Sequence, residues 1–259
     1  MTASGGHLYQ DLNRRLSELR LPAIRRCYEE KARQAERETL GYEHYLRELV
    51  ERECEERASN RVARLLIESQ LPLEKSLDNF EMKRLPERLA REIKMLAEGG
   101  FVDRRENVLA FGQPGGGKTH ALAGIGQQLA RRGRRVLFVR CAKLVQDLLV
   151  AKRDLRLSQA IKKLDQYEAL VIDDIGYVQQ SREEMEVLFT LLAERYERRT
   201  VMITSNLPFS KWDQIFKDPM TTAAAIDRLV HHSVILDFGV SSFRMEQAKR
   251  RASAQRGTE

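Results

Sequence analysis

The chain has 259 residues, of which 42% are hydrophobic, and its 45 basic and 38 acidic side chains give a formal net charge of +7 at pH 7. This length holds one α/β domain of about 150 residues and a smaller one, and no stretch approaches the roughly 18 apolar residues of a membrane-spanning helix. The N-terminus lacks an apolar signal core, and the three scattered cysteines show neither pairing nor metal-ligand spacing, so we expect a cytoplasmic protein that binds no membrane.

Residues 8–70 favour helices. One apolar stripe recurs at helical spacing: Leu8, Leu12, Leu16 and Leu19. Pro22 begins a second helical segment, and Gly41 precedes a long third one that is almost entirely charged outside its own apolar stripe. A helix of this kind faces solvent or a partner. A connector with a helix near residues 85–96 follows.

A glycine-rich loop at residues 112–119 lies between a predicted buried strand at 107–111 and a predicted helix at 120–132. It fits the P-loop pattern G-x-x-x-x-G-K-[ST], in which backbone N–H groups and the helix dipole converge on a phosphate. Lys118 would reach the β- and γ-phosphates of ATP, and the Thr119 hydroxyl would hold Mg²⁺. The strand and helix around the loop argue against a glycine-rich turn that binds nothing. We assign the nucleotide contacts to Gly112, Gln113, Pro114, Gly115, Gly116, Gly117, Lys118, Thr119 and His120.

A second apolar strand, at residues 169–172, ends in Asp173 and Asp174. A strand that emerges beside a P-loop needs one carboxylate to organise Mg²⁺, and Asp173 is the candidate. A second carboxylate can polarise the attacking water, and we assign that catalytic role to Asp174. An ordinary strand end rich in turn residues is the alternative, and the P-loop makes it the weaker one.

The predicted strand at 200–204 ends in Ser205 and Asn206, which could orient a water against the γ-phosphate, cap the next helix, or do both. The other predicted elements continue the alternation: a strand at 135–140, helices at 142–164, a helix at 183–197, helices at 209–231 and a strand at 233–237. Alternation predicts an α/β fold with a mostly parallel sheet between helices. We therefore divide the chain into a helical domain for a partner or DNA (1–74), a connector (75–106) and an ATPase domain (107–259).

The excess positive charge lies in one part of the chain. Residues 101–160 contain 12 basic and 4 acidic side chains, whereas residues 1–100 contain 19 of each and residues 161–259 contain 14 and 15. Two clusters at 131–135 and 152–156 supply most of this excess. Clustered Lys and Arg are typical of a polyanion-binding surface, and a solvated helix end is the alternative. The two adjacent histidines at 231–232 would point to different faces of a helix, so we expect no metal cluster there.

Several spaced motifs together resemble a known family. They are Gly112–Thr119, Asp173–Tyr177, Glu194–Arg198, Ile203–Asn206 and Ala225–His232. They are similar to those of the IstB family, the AAA+ ATPase helpers of insertion-sequence transposition, which are related to DnaC-type helicase loaders. The resemblance covers nearly the whole chain. It implies an AAA+ core of the initiator type, a homo-oligomer assembled with ATP on duplex DNA, and delivery of that DNA to the transposase encoded by the same element.

The resemblance also implies roles for single residues. Asn206 matches the first sensor. Arg228 matches the arginine finger that reaches a neighbouring subunit's γ-phosphate, and the alternative is a surface Arg paired with Asp227 or Glu194. AAA+ relatives of the initiator type turn the 101–160 region toward the centre of their assemblies. We therefore expect phosphate contacts with duplex DNA from Lys152, Arg153 and Arg156, with weaker help from Arg134 and Arg135.

Two departures from the family pattern matter. Asp174 stands where many AAA+ proteins have Glu, so hydrolysis is expected to be slow. Only 22 residues follow Asp237, too few for the usual helical lid, so we expect the lid to be absent or reduced. Arg244 is either a phosphate-sensing arginine or an ordinary surface residue.

Two other functions remain open at this point. A DnaC-like loader would deliver a replicative helicase instead of serving a transposase, and the helical N-terminal segment could dock on either partner. A metabolic P-loop kinase would need a base and a pocket for a small acceptor, and the sequence contains no such constellation. The oligomer size and the target preference do not follow from the sequence.

Overall fold

The computed structural model describes residues 3–176, 181–212 and 219–239. The chain forms two compact units, Met1–Arg64 and Leu65–Glu259. The division that we predict at residues 74 and 106 stays a prediction. Within the described ranges, no helix is both long and apolar enough to cross a membrane.

The first unit is helical, as predicted. Its helices are α1 (Ala3–Glu18), α2 (Pro22–Glu38) and the greater part of α3 (Tyr42–Glu68). Proline is favoured in the first turn of a helix because its fixed φ suits the helix and its missing N–H is not needed there, which explains why α2 begins at Pro22. The small core of this unit consists of Leu16, Ile24, Tyr28 and Leu49.

A buried carboxylate fixes the start of α2. Glu53 accepts hydrogen bonds from the backbone N–H groups of Ala23 and Ile24 at 2.9 and 3.2 Å, and from Arg57 at 2.8 Å. Burial by itself raises the pKa of Glu53, but the Arg57 guanidinium and the two N–H groups outweigh burial and lower it. An anion here also complements the positive end of the helix dipole.

The second unit is a parallel sheet between helices. Its strands are β1 (Asn107–Gly112), β2 (Val136–Arg140), β3 (Ala169–Asp173), β4 (Thr200–Ser205) and β5 (Ser233–Phe238). Its further helices are α4 (Glu87–Ala97), α5 (Gly100–Asp103), α6 (Lys118–Arg131), α7 (Cys141–Arg153), α8 (Leu157–Leu164), α9 (Arg182–Arg195) and α10 (Pro219–Val230). All strand pairs are parallel, in the order β2-β3-β4-β1-β5. The predicted α/β fold is confirmed.

Alternate residues of β1, β2, β3 and β4 pack into two separate cores, whereas β5 contributes to only one of them. Leu170 and Ile172 of β3 pack with α7, α8, α9 and α10, whereas Val171 packs on the other face with α4 and α6. Both faces are therefore covered, and this explains why these strands read as continuous apolar runs without polar alternation. Because every strand runs in the same direction, all carboxyl ends meet at one edge of the sheet and all amino ends at the other.

The predicted bounds agree with the structure to within a few residues. At α9 the helix begins after a Ser181 capping box and ends at Arg195, two residues before the predicted end. The backbone of Glu197 has a left-handed conformation, with φ 54°, so the helix cannot continue through this residue. The predicted reduction of the lid falls on residues 240–259, outside the described ranges.

Candidate nucleotide-binding site

The loop after β1 has the backbone geometry of an anion cradle. Gly112, Gly115 and Gly117 have φ values of 143°, 83° and 99°, in the region that favours glycine. A Cβ at Gly112 would lie 2.5 Å from the carbonyl oxygen of Phe238, so a side chain has no room there. Gly117 is the N-cap of α6, and the first N–H groups of a helix have no intrahelical partners. The loop therefore presents free donors and a positive helix end to an anion.

Lys118 is held inside this loop. Its side chain is largely buried, and the Nζ donates hydrogen bonds to the carbonyl oxygens of Gly112 at 2.7 Å and of Gln113 at 3.0 Å. A buried ammonium costs free energy unless anions or oxygen acceptors surround it. The position of Lys118 therefore fits a site that receives phosphate oxygens.

A cluster of three oxygen-bearing side chains lies beside the loop. The Oδ1 atom of Asp173, which is 5% exposed, accepts hydrogen bonds from the Thr119 hydroxyl at 2.8 Å and from the Thr204 hydroxyl at 2.7 Å. Hard carboxylate and hydroxyl oxygens are the ligands that Mg²⁺ prefers. Thr119 and Asp173, predicted as the metal residues, are thus brought together from α6 and β3 and fit a magnesium ion.

Thr204 is a site residue that was not predicted from the sequence. It is fully buried, and its hydroxyl also accepts a hydrogen bond from the backbone N–H of Asp174 at 2.8 Å. Its carbonyl oxygen accepts another from Ile175 at 3.0 Å. Thr204 therefore fixes both Asp173 and the turn that follows it. The available signal was its position two residues before Asn206, at the end of a predicted strand.

Asp174 occupies a conformation that few side chains tolerate. Its φ is 62°, and its side chain is exposed at the carboxyl edge of the sheet. Aspartate enters this left-handed region more readily than most residues, and the Thr204 bonds hold it there. The Asp174 carboxylate therefore lies exposed next to the buried Asp173. The hydroxyls of Thr119 and Thr204 donate to Asp173.

The sensor candidate lies against the same turn. The Asn206 Oδ1 atom is buried and has no hydrogen-bond partner among the described residues. A Cβ at Gly176 would lie 2.5 Å from that oxygen, so the turn after Asp174 passes very close to the amide. The Ser205 hydroxyl instead bonds the backbone of Leu207. A buried acceptor without a partner is costly, which fits an amide that awaits a water or ligand.

The segment before β1 lies along α6, a contact that was not predicted from the sequence. The His120 Nε2 atom is 2.8 Å from the carbonyl oxygen of Ser76, and the Phe80 ring centroid is 4.9 Å from that of His120. Phe80 also lies 3.0 Å from the position of a Cβ on Gly117. His120, predicted to contact nucleotide, is thus held by the connector.

Arg228 lies at the opposite edge of the sheet. The last turn of α10 is bonded to the first residue of β1, because the Asn107 side chain donates to the Leu229 carbonyl oxygen at 3.2 Å. The Arg228 guanidinium lies 4.8 Å above the Phe189 ring, and its Nη1 atom is buried without a hydrogen-bond partner among the described residues. Within the described ranges Arg228 forms no ion pair with Asp227 or Glu194, so the alternative interpretation of Arg228 as an ion-paired surface residue is wrong.

Most of the predicted DNA-contacting cations are ion-paired. Arg134 pairs with Asp103 and Glu168, Arg135 with Glu68, Lys152 with Glu186 and Arg156 with Asp154. Arg153 is exposed as the last residue of α7 and has no ion pair within the described ranges. Several acidic partners come from outside residues 101–160, so the local charge is smaller than a count along the sequence indicates. Arg244 lies beyond the described residues.

The predicted placement of the adjacent histidines on different faces of a helix was wrong, whereas the absence of a metal cluster there stays a prediction. His231 and His232 follow α10, which ends at Val230, and their ring centroids lie only 4.2 Å apart. Together with Glu197 they offer three ligand atoms within 4.8 Å of one another, all on exposed side chains. The assumption of a continuing helix caused the error.

Comparison with known sequences points to one family. A family model described as IstB-like ATP binding protein matches residues 14–252. An insertion sequence ATP-binding protein of Sinorhizobium fredii is 44% identical over 234 residues, which are 90% of this chain and 78% of that protein. The IS21 ATP-binding protein of Pseudomonas aeruginosa is 33% identical over 235 residues, 91% of this chain and 89% of that protein.

Solved structures share the fold. The DnaC helicase loader has a TM-score of 0.55 at 16% identity, over 63% of this chain and 96% of that chain. Replication initiator DnaA, bound to AMPPCP and single-stranded DNA, has a TM-score of 0.55 at 18% identity, over 71% of this chain and 56% of that chain. At such identities the likeness concerns the fold alone, and it confirms the AAA+ core expected from the resemblance.

Proposed function

This chain belongs to the IstB-like ATP binding protein family, and from that premise we propose that it is an ATP-hydrolysing helper of insertion-sequence transposition. It assembles with ATP as a homo-oligomer on duplex DNA and recruits or stimulates the transposase encoded by the same element. The relatives' names as insertion-sequence ATP-binding proteins support the transposition context over a helicase-loading role. The likeness to the DnaC loader does not favour the alternative, because it concerns the fold only.

The observation that carries the ATPase proposal is the shared oxygen cluster beside the P-loop. Asp173 accepts hydrogen bonds from Thr119 and Thr204, and Lys118 lies inside the loop that precedes them. Lys118 would bind the β- and γ-phosphates, and Thr119 and Asp173 would hold Mg²⁺. When bound, the magnesium ion neutralises the charge that develops on the phosphate oxygens.

Asp174 and Asn206 are suited to position the attacking water. The exposed carboxylate of Asp174 would accept a hydrogen bond from the water and polarise it, and the Asn206 amide oxygen, without a partner among the described residues, would fix its orientation. An aspartate reaches less far than a glutamate in the same place. We therefore propose slow hydrolysis, so that bound ATP acts chiefly as a switch for assembly.

DNA binding is proposed to depend on that assembly. Arg153, together with Lys152 and Arg156, would contact phosphates without reading bases. Because Lys152 and Arg156 are each paired with a carboxylate, one subunit gains little from them. Repetition of these three residues around an oligomer multiplies the contacts without adding new chemistry.

Fluorescence anisotropy with two labelled duplexes of unrelated sequence tests the proposal. We expect tight binding only with ATP and Mg²⁺, its loss in Lys118→Ala, and its retention in Asp174→Asn, which keeps ATP bound. Lys152→Glu/Arg153→Glu should weaken binding to both duplexes and lower the salt slope by about 2, since each phosphate contact contributes about 0.9 to that slope.

The matched control is Arg88→Glu/Arg91→Glu, which reverses two exposed charges on α4 that are each paired with a glutamate. Equal DNA affinity for wild type and Lys118→Ala with ATP present would refute the ATP switch. A pull-down that compares the transposase of the same element with a replicative helicase separates the two partner assignments.

A further inference from the structure

A second charged cavity lies at the amino edge of the sheet, away from the P-loop. It has a volume of about 180 Å³ and is lined by the charged residues Asp103, Arg105, Arg134, Glu168, Arg198 and Arg199. The four arginines and Glu168 lie one or two residues before β1, β2, β3 or β4. The parallel sheet therefore brings four guanidinium groups from distant parts of the sequence around one cavity.

The carboxylates near this cavity do not neutralise all four arginines. Arg134 uses both acidic residues of the lining, Asp103 at 2.5 Å and Glu168 at 2.7 Å. Arg198 pairs with two carboxylates outside the lining, those of Asp165 and Glu194, both at 3.2 Å.

The other two arginines lack such partners. Arg105 donates only to the carbonyl oxygen of Glu197, at 2.9 Å, and neither Arg105 nor Arg199 forms an ion pair within the described ranges. Two positive charges of the lining are therefore uncompensated.

A buried fifth arginine adds to the positive potential. Arg195 is fully buried and donates hydrogen bonds to the carbonyl oxygens of Leu164, Tyr167 and Thr200, each at 3.0 Å. Burial lowers its pKa to about 10, against the attraction of Asp165, and the nearby charge of Arg199 lowers it further. Arg195 also forms an ion pair with Asp165 at 3.7 Å, so this one carboxylate is shared between Arg195 and Arg198.

We propose that this cavity is a second anion site and that its ligand is a phosphate group. Guanidinium groups offer paired N–H donors that match phosphate oxygens, and all four cations of the lining are arginines. The described residues of the lining include no aromatic side chain on which a base could stack, so the site takes a phosphate without its nucleoside. The phosphate comes either from a free anion such as pyrophosphate or from the backbone of duplex DNA.

The first arm of the test uses inorganic pyrophosphate and the full chain carrying Lys118→Ala, which removes the ammonium of the P-loop. Isothermal titration should show one site, and adding Arg105→Gln/Arg199→Gln should weaken it at least tenfold. Adding Arg88→Gln/Arg91→Gln instead, two exposed arginines of α4, should leave it unchanged. Because the substitutions at 105 and 199 remove repulsion, that variant should unfold at the same or a higher temperature, which separates lost binding from misfolding.

The second arm measures duplex-DNA affinity against salt with Lys118 intact and ATP present. This arm rests on the proposed DNA binding, whereas the first does not. A salt slope lower by about 1 to 2 in Arg105→Gln/Arg199→Gln, with the α4 control unchanged, identifies the DNA backbone as the source of the phosphate. If neither arm distinguishes this variant from its control, the proposal is overturned. It is also overturned if the variant loses only transposase binding, because the arginines would then dock a carboxylate-bearing protein.

Discussion

Loss of the Arg228 guanidinium is the sharpest test of assembly, because the fold keeps this residue away from the P-loop of its own subunit. The last turn of α10 is bonded to Asn107, at the start of β1, while the P-loop follows Gly112 at its end. The six residues of β1 span about 17 Å at 3.3 Å per residue. The guanidinium lies 4.8 Å from the centroid of the Phe189 ring on α9. If Arg228 completes an ATP site, that site belongs to another copy of the chain.

The expected loss of ATP hydrolysis in Arg228→Ala follows from the proposed role of Arg228 as an arginine finger. An arginine that stabilises the transferring phosphoryl group contributes on the order of a thousandfold to kcat, so Arg228→Ala should hydrolyse ATP about a thousandfold more slowly. Its affinity for ATP as a monomer should stay unchanged. Asp227→Ala, at the exposed neighbouring position of the same helix, is the matched control and should keep its activity.

Mixing two inactive variants shows whether Arg228 completes the ATP site of a neighbouring subunit or of its own. Lys118→Ala has a defective P-loop and an intact Arg228, and Arg228→Ala has the reverse. In an equimolar head-to-tail assembly, about one interface in four joins an intact P-loop to an intact arginine, so the mixture should recover about a quarter of the wild-type rate. Steady-state ATP hydrolysis measures the recovery, and light scattering verifies that the mixture assembles. A mixture that assembles but hydrolyses no faster than its components would refute the reasoning.

Two further predictions concern single side chains of the second unit. Arg195→Met should lower the free energy of unfolding by about 3–5 kcal/mol in urea denaturation, because it leaves three carbonyl groups without their buried donor; the exposed Arg91→Met should change it by less than about 0.5 kcal/mol. Gly176→Ala should lower kcat by up to about 100-fold at unchanged ATP affinity, because the added Cβ displaces the Asn206 amide. Gly41→Ala, whose Cβ meets nothing within 4 Å, is its control, and equal rates for the two variants would remove Asn206 from the water-positioning role.

The sheet and the P-loop could be predicted because their signals are local. A strand buried on both faces is a short apolar run, and the run at 169–173 therefore identified β3. The glycines of the P-loop are required by backbone geometry alone, as at Gly112, where a Cβ would meet the carbonyl group of Phe238. Such requirements appear in the sequence wherever the loop occurs.

The features that were missed depend on contacts between distant parts of the chain. In the sequence nothing distinguishes Thr204 from other strand threonines. Its role depends on the pairing of β3 with β4, which brings its hydroxyl to Asp173. The charge excess of residues 101–160 led us to expect basic side chains without acidic partners. Glu168 and Glu186, which lie outside that segment, nevertheless form ion pairs with Arg134 and Lys152. A count along the sequence cannot include such partners. The prediction that His231 and His232 lie on a helix was wrong for a local reason, because the end of α10 at Val230 was not predicted.

The direction of the sheet links the two proposed sites. Parallel strands place the P-loop, Asp173 and Asn206 at the carboxyl edge, and they place Arg228 and the arginine cavity toward the amino edge. Groups on opposite edges of one subunit cannot meet over the same phosphate. A head-to-tail neighbour would bring its amino edge to the carboxyl edge of the next subunit, so Arg228 would arrive where it is needed only in the assembly. Dependence of the chemistry on assembly would then be a consequence of strand direction, and it would hold for any oligomer size that keeps this polarity.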